Sequence, residues 1–184
     1  MTLNLTDVVL LVLLLASFLI GYFQGAIRQL LGIAAWLVAF LFAANTRAPA
    51  GEWLSRYWTQ LPAGYSRMIA FLLVFVVLLV IANIGIQILY KRTPIYSRMT
   101  VIDEIIGGLL GAALFVLILS TVIIALHSFY GLGAPGGGDV RWMRDLHRVL
   151  VESTVGQTLL TAFIPGLLAV LGFFLPQEVR DVAR

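Results

Sequence analysis

Four long segments of this chain contain no Asp, Glu, Lys, Arg or His, and they constrain the fold more than any other feature. A hydrocarbon core about 30 Å thick is crossed by roughly 20 apolar helical residues, and a helix satisfies its own backbone there. The chain is therefore predicted to be an all-α polytopic membrane protein with a bundle of four transmembrane helices. The segments are Val8–Ile27, Gln29–Thr46, Met68–Tyr90 and Ile105–Leu126.

The composition excludes several classes of protein. Only 11% of the 184 residues are charged, whereas soluble domains have about 25%, and the spans leave no room for a separate soluble catalytic domain. The net charge of +3 is better suited to anionic head groups and membrane topology than to nucleic acid. Because the chain has no cysteine, disulfides, thiolate catalysis and cysteine-ligated metals are excluded, and we expect no cofactor.

Turn residues and charges place the ends of the four predicted helices. We expect the first two helices at about 7–22 and 26–45 and the third at about 68–90, while Asp103 and Glu104 begin the fourth. The segment 45–67 contains proline, glycine and several aromatic residues, so a connection at head-group level is predicted there. Short turns predict that helix 1 packs beside helix 2, and helix 3 beside helix 4.

A second region follows the predicted bundle, which occupies residues 1–130. Residues 131–138 form a glycine-rich linker. Residues 139–152 alternate apolar side chains with arginines, which predicts a basic amphipathic helix on the membrane surface. The uncharged segment Ser153–Gln177 is interrupted by Pro165-Gly166. We expect a bent or re-entrant interfacial hairpin there, and a fifth span is the alternative. Residues 139–184 are thus predicted to be an interfacial C-terminal segment.

Two sequence blocks resemble the colicin V production protein (CvpA) family of bacterial inner-membrane proteins. The first is Gln24–Phe40, preceded by Asp7, and the second is Asp103–Gly111, with the pattern Asp-x-x-x-Gly-x-x-x-Gly. The resemblance covers residues 5–128 and does not include the tail after Gly131. The residues predicted to carry the family motif and helix packing are Asp7, Gly21, Gly25, Arg28, Gly32, Trp36, Asp103, Gly107 and Gly111.

The resemblance implies a cellular location and a phenotype, and it does not imply a particular reaction. It implies an inner-membrane protein associated with colicin V export and with envelope or bile-salt tolerance. The chain departs from the family pattern at Gln24, Gln29 and Leu114-Phe115, where family members commonly carry charges. Lys and Arg counts do not select an orientation. Family members with a periplasmic protease domain after the fourth span suggest that both termini are periplasmic.

Three ionisable residues near the spans each allow two interpretations. Arg28 beside the first turn is interpreted as a topology anchor that reaches the head groups, or as a contact for lipid, a partner or a ligand. Asp7 and Asp103 each precede a span, so helix capping explains both. A gated or proton-coupled role is the alternative for the two aspartates.

The uncharged candidates also have a structural and a functional interpretation. Asn83 and Gln87 lie one turn apart in helix 3 and predict either an interhelical hydrogen bond or the lining of a polar path. Gly107 and Gly111 predict a packing face, with a hinge or a dimer seam as the alternative. His127 and His147 lack a carboxylate or cysteine at ligand spacing, so we expect no metal site.

The leading hypothesis is a non-enzymatic inner-membrane protein of this family that acts in toxin production or export, or in envelope homeostasis. We expect it to work by helix–helix association through the small faces of helices 2 and 4, in a homo-oligomer or with a membrane or envelope partner. The alternative is a small transporter or channel subunit with a polar path between helices 3 and 4. A membrane enzyme has little support, because no acid, base and nucleophile converge in the sequence, and no catalytic residue is predicted. That interpretation would gain support only if Asp7 and Asp103 faced each other in a cavity.

Overall fold

A computed structural model describes residues 4–58, 63–92, 101–130 and 141–175, and every regular element in these ranges is helical. Four long helices come first, and a short helix and a sixth helix follow. The predicted linker 131–138 and the residues 93–100 between the third and fourth helices lie outside the described residues. The helices are α1 Leu5–Gln24, α2 Ala26–Tyr57, α3 Ala63–Arg92, α4 Val101–Tyr130, α5 Arg141–Glu152 and α6 Thr154–Phe174.

Five of the described helices, all except α5, are long and apolar enough to cross a membrane. The four apolar helices predicted from the segments without ionisable residues are thus confirmed as α1 to α4. At about 1.5 Å per residue, α1 is about 30 Å long, which matches the hydrocarbon thickness. Its outer face consists of exposed Leu, Val and Ile side chains, as a lipid-facing helix requires.

Helix α2 is longer than its sequence predicted. We expected an end near residue 45, yet the helix continues through Pro49 to Tyr57. The continuation packs against α3, where the Cα of Gly51 approaches Arg67 so closely that a Cβ would lie 2.9 Å from the Arg67 Cα. Proline and glycine lower helix stability, but tertiary packing outweighs that local preference here.

The expected pairing of helix 1 with helix 2 and of helix 3 with helix 4 is wrong. Helix α1 packs mainly on α4, and α2 packs mainly on α3 and secondarily on α4, whereas α1 with α2 and α3 with α4 touch much less. A one-residue connection at Gly25 joins α1 to α2, so their chains meet at the turn and then separate. Rings of Phe40, Phe71 and Phe75 fill the contact between α2 and α3.

Helix α6 is one helix rather than the two apolar halves expected around Pro165-Gly166. A π-helical turn, Leu159–Phe163, lies directly before the proline, and the Ile164 N–H bonds to the Leu159 carbonyl. This wider turn lets the chain pass a residue that cannot donate a hydrogen bond and would clash in a regular helix. The prediction of a hairpin in this segment is therefore wrong.

Both ends of α6 contact the same end of the bundle. The Val155 N–H donates to the Asp7 carboxylate at 3.0 Å, and the Asn45 side chain donates to the Phe174 carbonyl at 3.1 Å. At 1.5 Å per residue, Asp7 and Asn45 lie about 27 Å and about 30 Å from the α1–α2 turn. Helix α6 therefore lies across the end of the bundle where α1 begins.

Candidate functional site

Helices α1 and α4 cross at glycines whose backbones are in contact. A Cβ on Gly107 would lie 2.6 Å from the Gly21 carbonyl oxygen and 2.7 Å from the Gly25 carbonyl carbon. A Cβ on Gly111 would lie 2.5 Å from the Ser17 carbonyl oxygen, and one on Gly21 would overlap the Gly107 carbonyl. The predicted packing face thus exists, and its partner is α1 of the same chain.

The α1–α2 turn lies beside this crossing and depends on α4. Gly25 has φ 79°, a conformation that glycine adopts without strain, and it has no side chain to cap α2. The Asp103 carboxylate of α4 instead accepts a hydrogen bond from the Ala26 N–H at 3.3 Å. Tyr22 hydrogen-bonds the neighbouring Glu104. Asp103 therefore caps a helix other than its own.

Asp7 has the corresponding role at the opposite end of the bundle. Asn4, rather than Asp7, is the N-cap of α1, and Asp7 completes a capping box by accepting the Asn4 N–H at 3.0 Å. Its other carboxylate oxygen accepts the Val155 N–H at the start of α6. Asp7 is fully buried. Asp7 and Asp103 thus lie at opposite ends of the bundle and do not face each other.

Trp36 lies deeper in the bundle and joins α2 to α4. Its indole N–H donates to the Thr121 hydroxyl at 3.0 Å, and that hydroxyl donates in turn to the Leu117 carbonyl at 2.9 Å. The indole stacks on Phe40 with ring centres 5.3 Å apart. Both polar groups are almost completely buried, so this bond satisfies a donor that burial would otherwise leave unpaired.

A cavity of about 220 Å³ lies between all four spans, near the α1–α2 turn. Arg28, Gln24, Gln29 and Asn83 supply its polar side chains. The Gln29 amide donates to the Gln24 amide oxygen at 3.0 Å, and the Asn83 amide donates to the Leu79 carbonyl at 3.1 Å. The remaining lining residues are Ser17, Ile20, Gly32, Ile86, Gly111, Leu114, Phe115 and Ile118.

An apolar groove of about 480 Å³ runs between α3 and α4. Asn83 and Ile118 line both the cavity and the groove, so the two are adjacent. Gln87 lines the groove but not the cavity, and Asp103 lines neither. Of the residues predicted to line a path, Asn83, Gln87 and Arg28 thus border one or both of these spaces.

The family model of the colicin V production protein matches residues 6–165. The chain belongs to this family. No curated protein and no solved structure matches it. The match extends beyond the expected limit at residue 128, through α5 and into α6. Within the matched range, the Val155 N–H donates to the Asp7 carboxylate, so the start of α1 and the start of α6 are in contact.

Within this family fold, His127 and His147 form a contact that the sequence did not predict. The Nδ1 atom of His127 lies 3.3 Å from the Nε2 atom of His147, which joins the end of α4 to α5. Burial, and secondarily the neighbouring His127, lowers the pKa of His147. In the described part of the chain, no third His, Cys, Asp or Glu completes a metal site with them.

Sequence reasoning also missed part of the cavity. Gln24 and Gln29 were noted as departures from the family pattern, yet they hydrogen-bond each other beside Arg28. Their positions around a one-residue turn are the signal that could have found them. Phe115 and Ile118 had no polar character to distinguish them from ordinary lipid-facing residues.

Proposed function

We propose that this chain is a non-enzymatic inner-membrane protein that acts in toxin production or export, or in envelope homeostasis. The family match over residues 6–165 carries the proposal. A chromosomal deletion in the native host, complemented in trans, tests it through secreted toxin activity and growth on detergent. We expect the deletion strain to lose secreted toxin activity and growth on detergent, and we expect the full chain to restore them. Unchanged export and unchanged detergent tolerance would contradict it.

We further propose that it works by helix–helix association in a homo-oligomer or with an envelope partner. The glycines of α4 contact α1 in the same chain, and Gly32 of α2 approaches Leu114, so these small faces are already occupied. Gly85 of α3 is exposed and has nothing within 4 Å of its missing Cβ. A small residue on a lipid-facing helix allows close approach of another helix, which supports association through α3.

Cysteine crosslinking tests this association, because the native chain has no cysteine. Ile81→Cys lies one turn from Gly85 and should form a disulfide-linked dimer in native membranes. Ile123→Cys, which is buried inside the bundle, is the control and should remain monomeric. Gly85→Leu in the Ile81→Cys background should abolish the crosslink. A crosslink that survives this change would place the contact elsewhere.

A small transporter or channel subunit is the second candidate, and the cavity between the four spans favours it. Ile118→Cys lies where the cavity meets the groove, while Ile124→Cys is buried in the core. Labelling of Ile118→Cys by a charged thiol reagent, with Ile124→Cys protected, would support a water-accessible path. Protection at both positions would contradict it.

We propose that both termini face the periplasm. The start of α1, the end of α6 and the extension of α2 lie at one end of the bundle, so one labelling experiment assigns them together. Glu52→Cys is exposed at that end and Val101→Cys is exposed at the other. In intact cells a membrane-impermeant reagent should label Glu52→Cys and not Val101→Cys. The reverse pattern would overturn the orientation.

A further inference from the structure

The polar cavity and the apolar groove lie side by side, as the polar head group and the apolar chains do in a membrane lipid. Arg28 lies in the first turn of α2, at the end of the apolar span. The cavity beside it shares Asn83 and Ile118 with the groove between α3 and α4. A polar site near the end of an apolar helix thus lies directly beside an apolar groove that follows α3.

The polar end of this site is cationic. Arg28 is half-buried, and among the residues that the structure describes it has no carboxylate partner. Asp103 accepts a hydrogen bond from the Ala26 N–H and Glu104 one from Tyr22, and neither acid lines the cavity. A guanidinium with five N–H donors pairs well with the oxygens of a phosphate.

The neighbouring amides supply further donors. Gln29 donates to the Gln24 amide oxygen, which leaves the amide nitrogen of Gln24 with both of its N–H donors. Asn83 uses one N–H on the Leu79 carbonyl and retains the other. The cavity therefore presents a positive charge with several neutral donors, a combination that suits an anion better than a cation.

The groove has the length of one acyl chain. It extends along α3 from Gln87 to Leu72, which is about 22 Å at 1.5 Å per residue. One leaflet occupies about half of a hydrocarbon core of about 30 Å, or about 15 Å. The groove can therefore hold a chain that reaches from the head-group level to the middle of the membrane.

We propose that the cavity and the groove together bind one anionic phospholipid. Its phosphate lies against Arg28 and Gln24, and one acyl chain lies along the groove between α3 and α4. This site goes beyond both candidate functions, because a lipid can occupy it whether the protein works by association or by transport. Its test measures lipid retention and does not depend on a phenotype.

The charge is tested by native mass spectrometry of the full chain taken from nanodiscs of equimolar dioleoylphosphatidylglycerol and dioleoylphosphatidylcholine. The wild type should retain about ten times more phosphatidylglycerol than phosphatidylcholine, as expected for one charge-assisted pair. Arg28→Gln should reduce the preference to near parity. Arg56→Gln removes an exposed arginine from the same helix and should leave it unchanged. No preference in the wild type, or equal losses in both variants, would overturn the proposal.

The groove is tested with two adjacent valines. Val76 lines the groove, whereas Val77 is a similarly exposed residue of α3 outside its lining. Val76→Trp should displace both phospholipids, and Val77→Trp should retain them. Inorganic phosphate at 100-fold excess should not displace the lipid, because it cannot occupy the groove. Displacement by phosphate, or equal retention by both tryptophan variants, would show that no acyl chain is bound there.

Discussion

Two successive sections of α4 differ in how they meet their neighbours. In the closed section, Gly107 and Gly111 bring the backbones of α4 and α1 into contact, and no side chain separates them. In the open section, Phe115 and Ile118 follow Gly111 at four and seven residues on the same side of the helix, and they border a cavity and a groove. One side of one helix is therefore closed at one level of the bundle and open at the next.

The difference shows where polar groups can remain uncommitted in such a bundle. Beside the closed section, the Ala26 N–H is bonded to Asp103, and in the buried contact between α2 and α4 the Trp36 indole is bonded to Thr121. Beside the open section, Arg28 and part of the Asn83 amide line a cavity that has room for another molecule. Hydrogen-bonding groups are thus satisfied where α4 is closely packed, and they remain available where it is not.

The largest expected effect on stability comes from adding a side chain in the closed section of α4. In Gly107→Ala the new Cβ would meet the backbone of Gly21 and Gly25, which no side-chain rotation relieves. We expect the free energy of unfolding to fall by about 3 kcal/mol, measured by circular dichroism during denaturation in mixed micelles. Gly85→Ala, with open space around its Cβ, is the control and should change it by less than about 1 kcal/mol. Equal effects would show that the crossing is not tightly packed.

The sequence predicted the glycine contact of α4 but not its partner. The i, i+4 spacing of Gly107 and Gly111 places both on one side of a helix, so a close approach was predictable. Which helix approaches depends on the fold, and the expected pairing of helix 1 with helix 2 and of helix 3 with helix 4 was wrong. The cavity was not predicted, because only the folded bundle brings Arg28 of α2 and Asn83 of α3 to one space.

The second prediction compares a buried polar group with one beside the open section of α4. Thr121→Val removes the acceptor of the Trp36 indole N–H and leaves a buried donor unpaired. This should lower the free energy of unfolding by about 2 kcal/mol. Asn83→Leu removes an exposed amide whose hydrogen bond, among the described residues, is to the Leu79 carbonyl of its own helix, and the free energy of unfolding should change by less than about 0.5 kcal/mol. The same micellar denaturation measures both, and a larger loss for Asn83→Leu would reverse the comparison.

A third prediction concerns the connection between α1 and the tail. Asp7→Asn replaces a buried carboxylate that accepts N–H bonds at the starts of both α1 and α6. The amide of Val155 should exchange with deuterium about tenfold faster, because charge-assisted bonds are about twice as strong as neutral ones. Glu52→Gln, an exposed acid at the same end of the bundle, should have no effect. Unchanged exchange at Val155 in Asp7→Asn would show that other contacts hold α6.

The smallest expected effect concerns a third contact of α4, the one between His127 and His147, which can be titrated. The pKa of His147 is lowered in the folded protein, so the undocked α5 binds more protons as the pH falls below about 6.5. Docking of α5 is therefore strongest above that pH and weakens below it. The loss should be less than about 1 kcal/mol, because half-exposed charges are screened. Hydrogen exchange of residues 141–152, corrected for intrinsic rates between pH 7.5 and 5.5, measures the effect. His147→Phe retains a ring against Tyr130 but cannot be protonated, so its exchange should not depend on pH. If the wild type behaved like this variant, the two histidines would be a packing contact and the pH would not act through them.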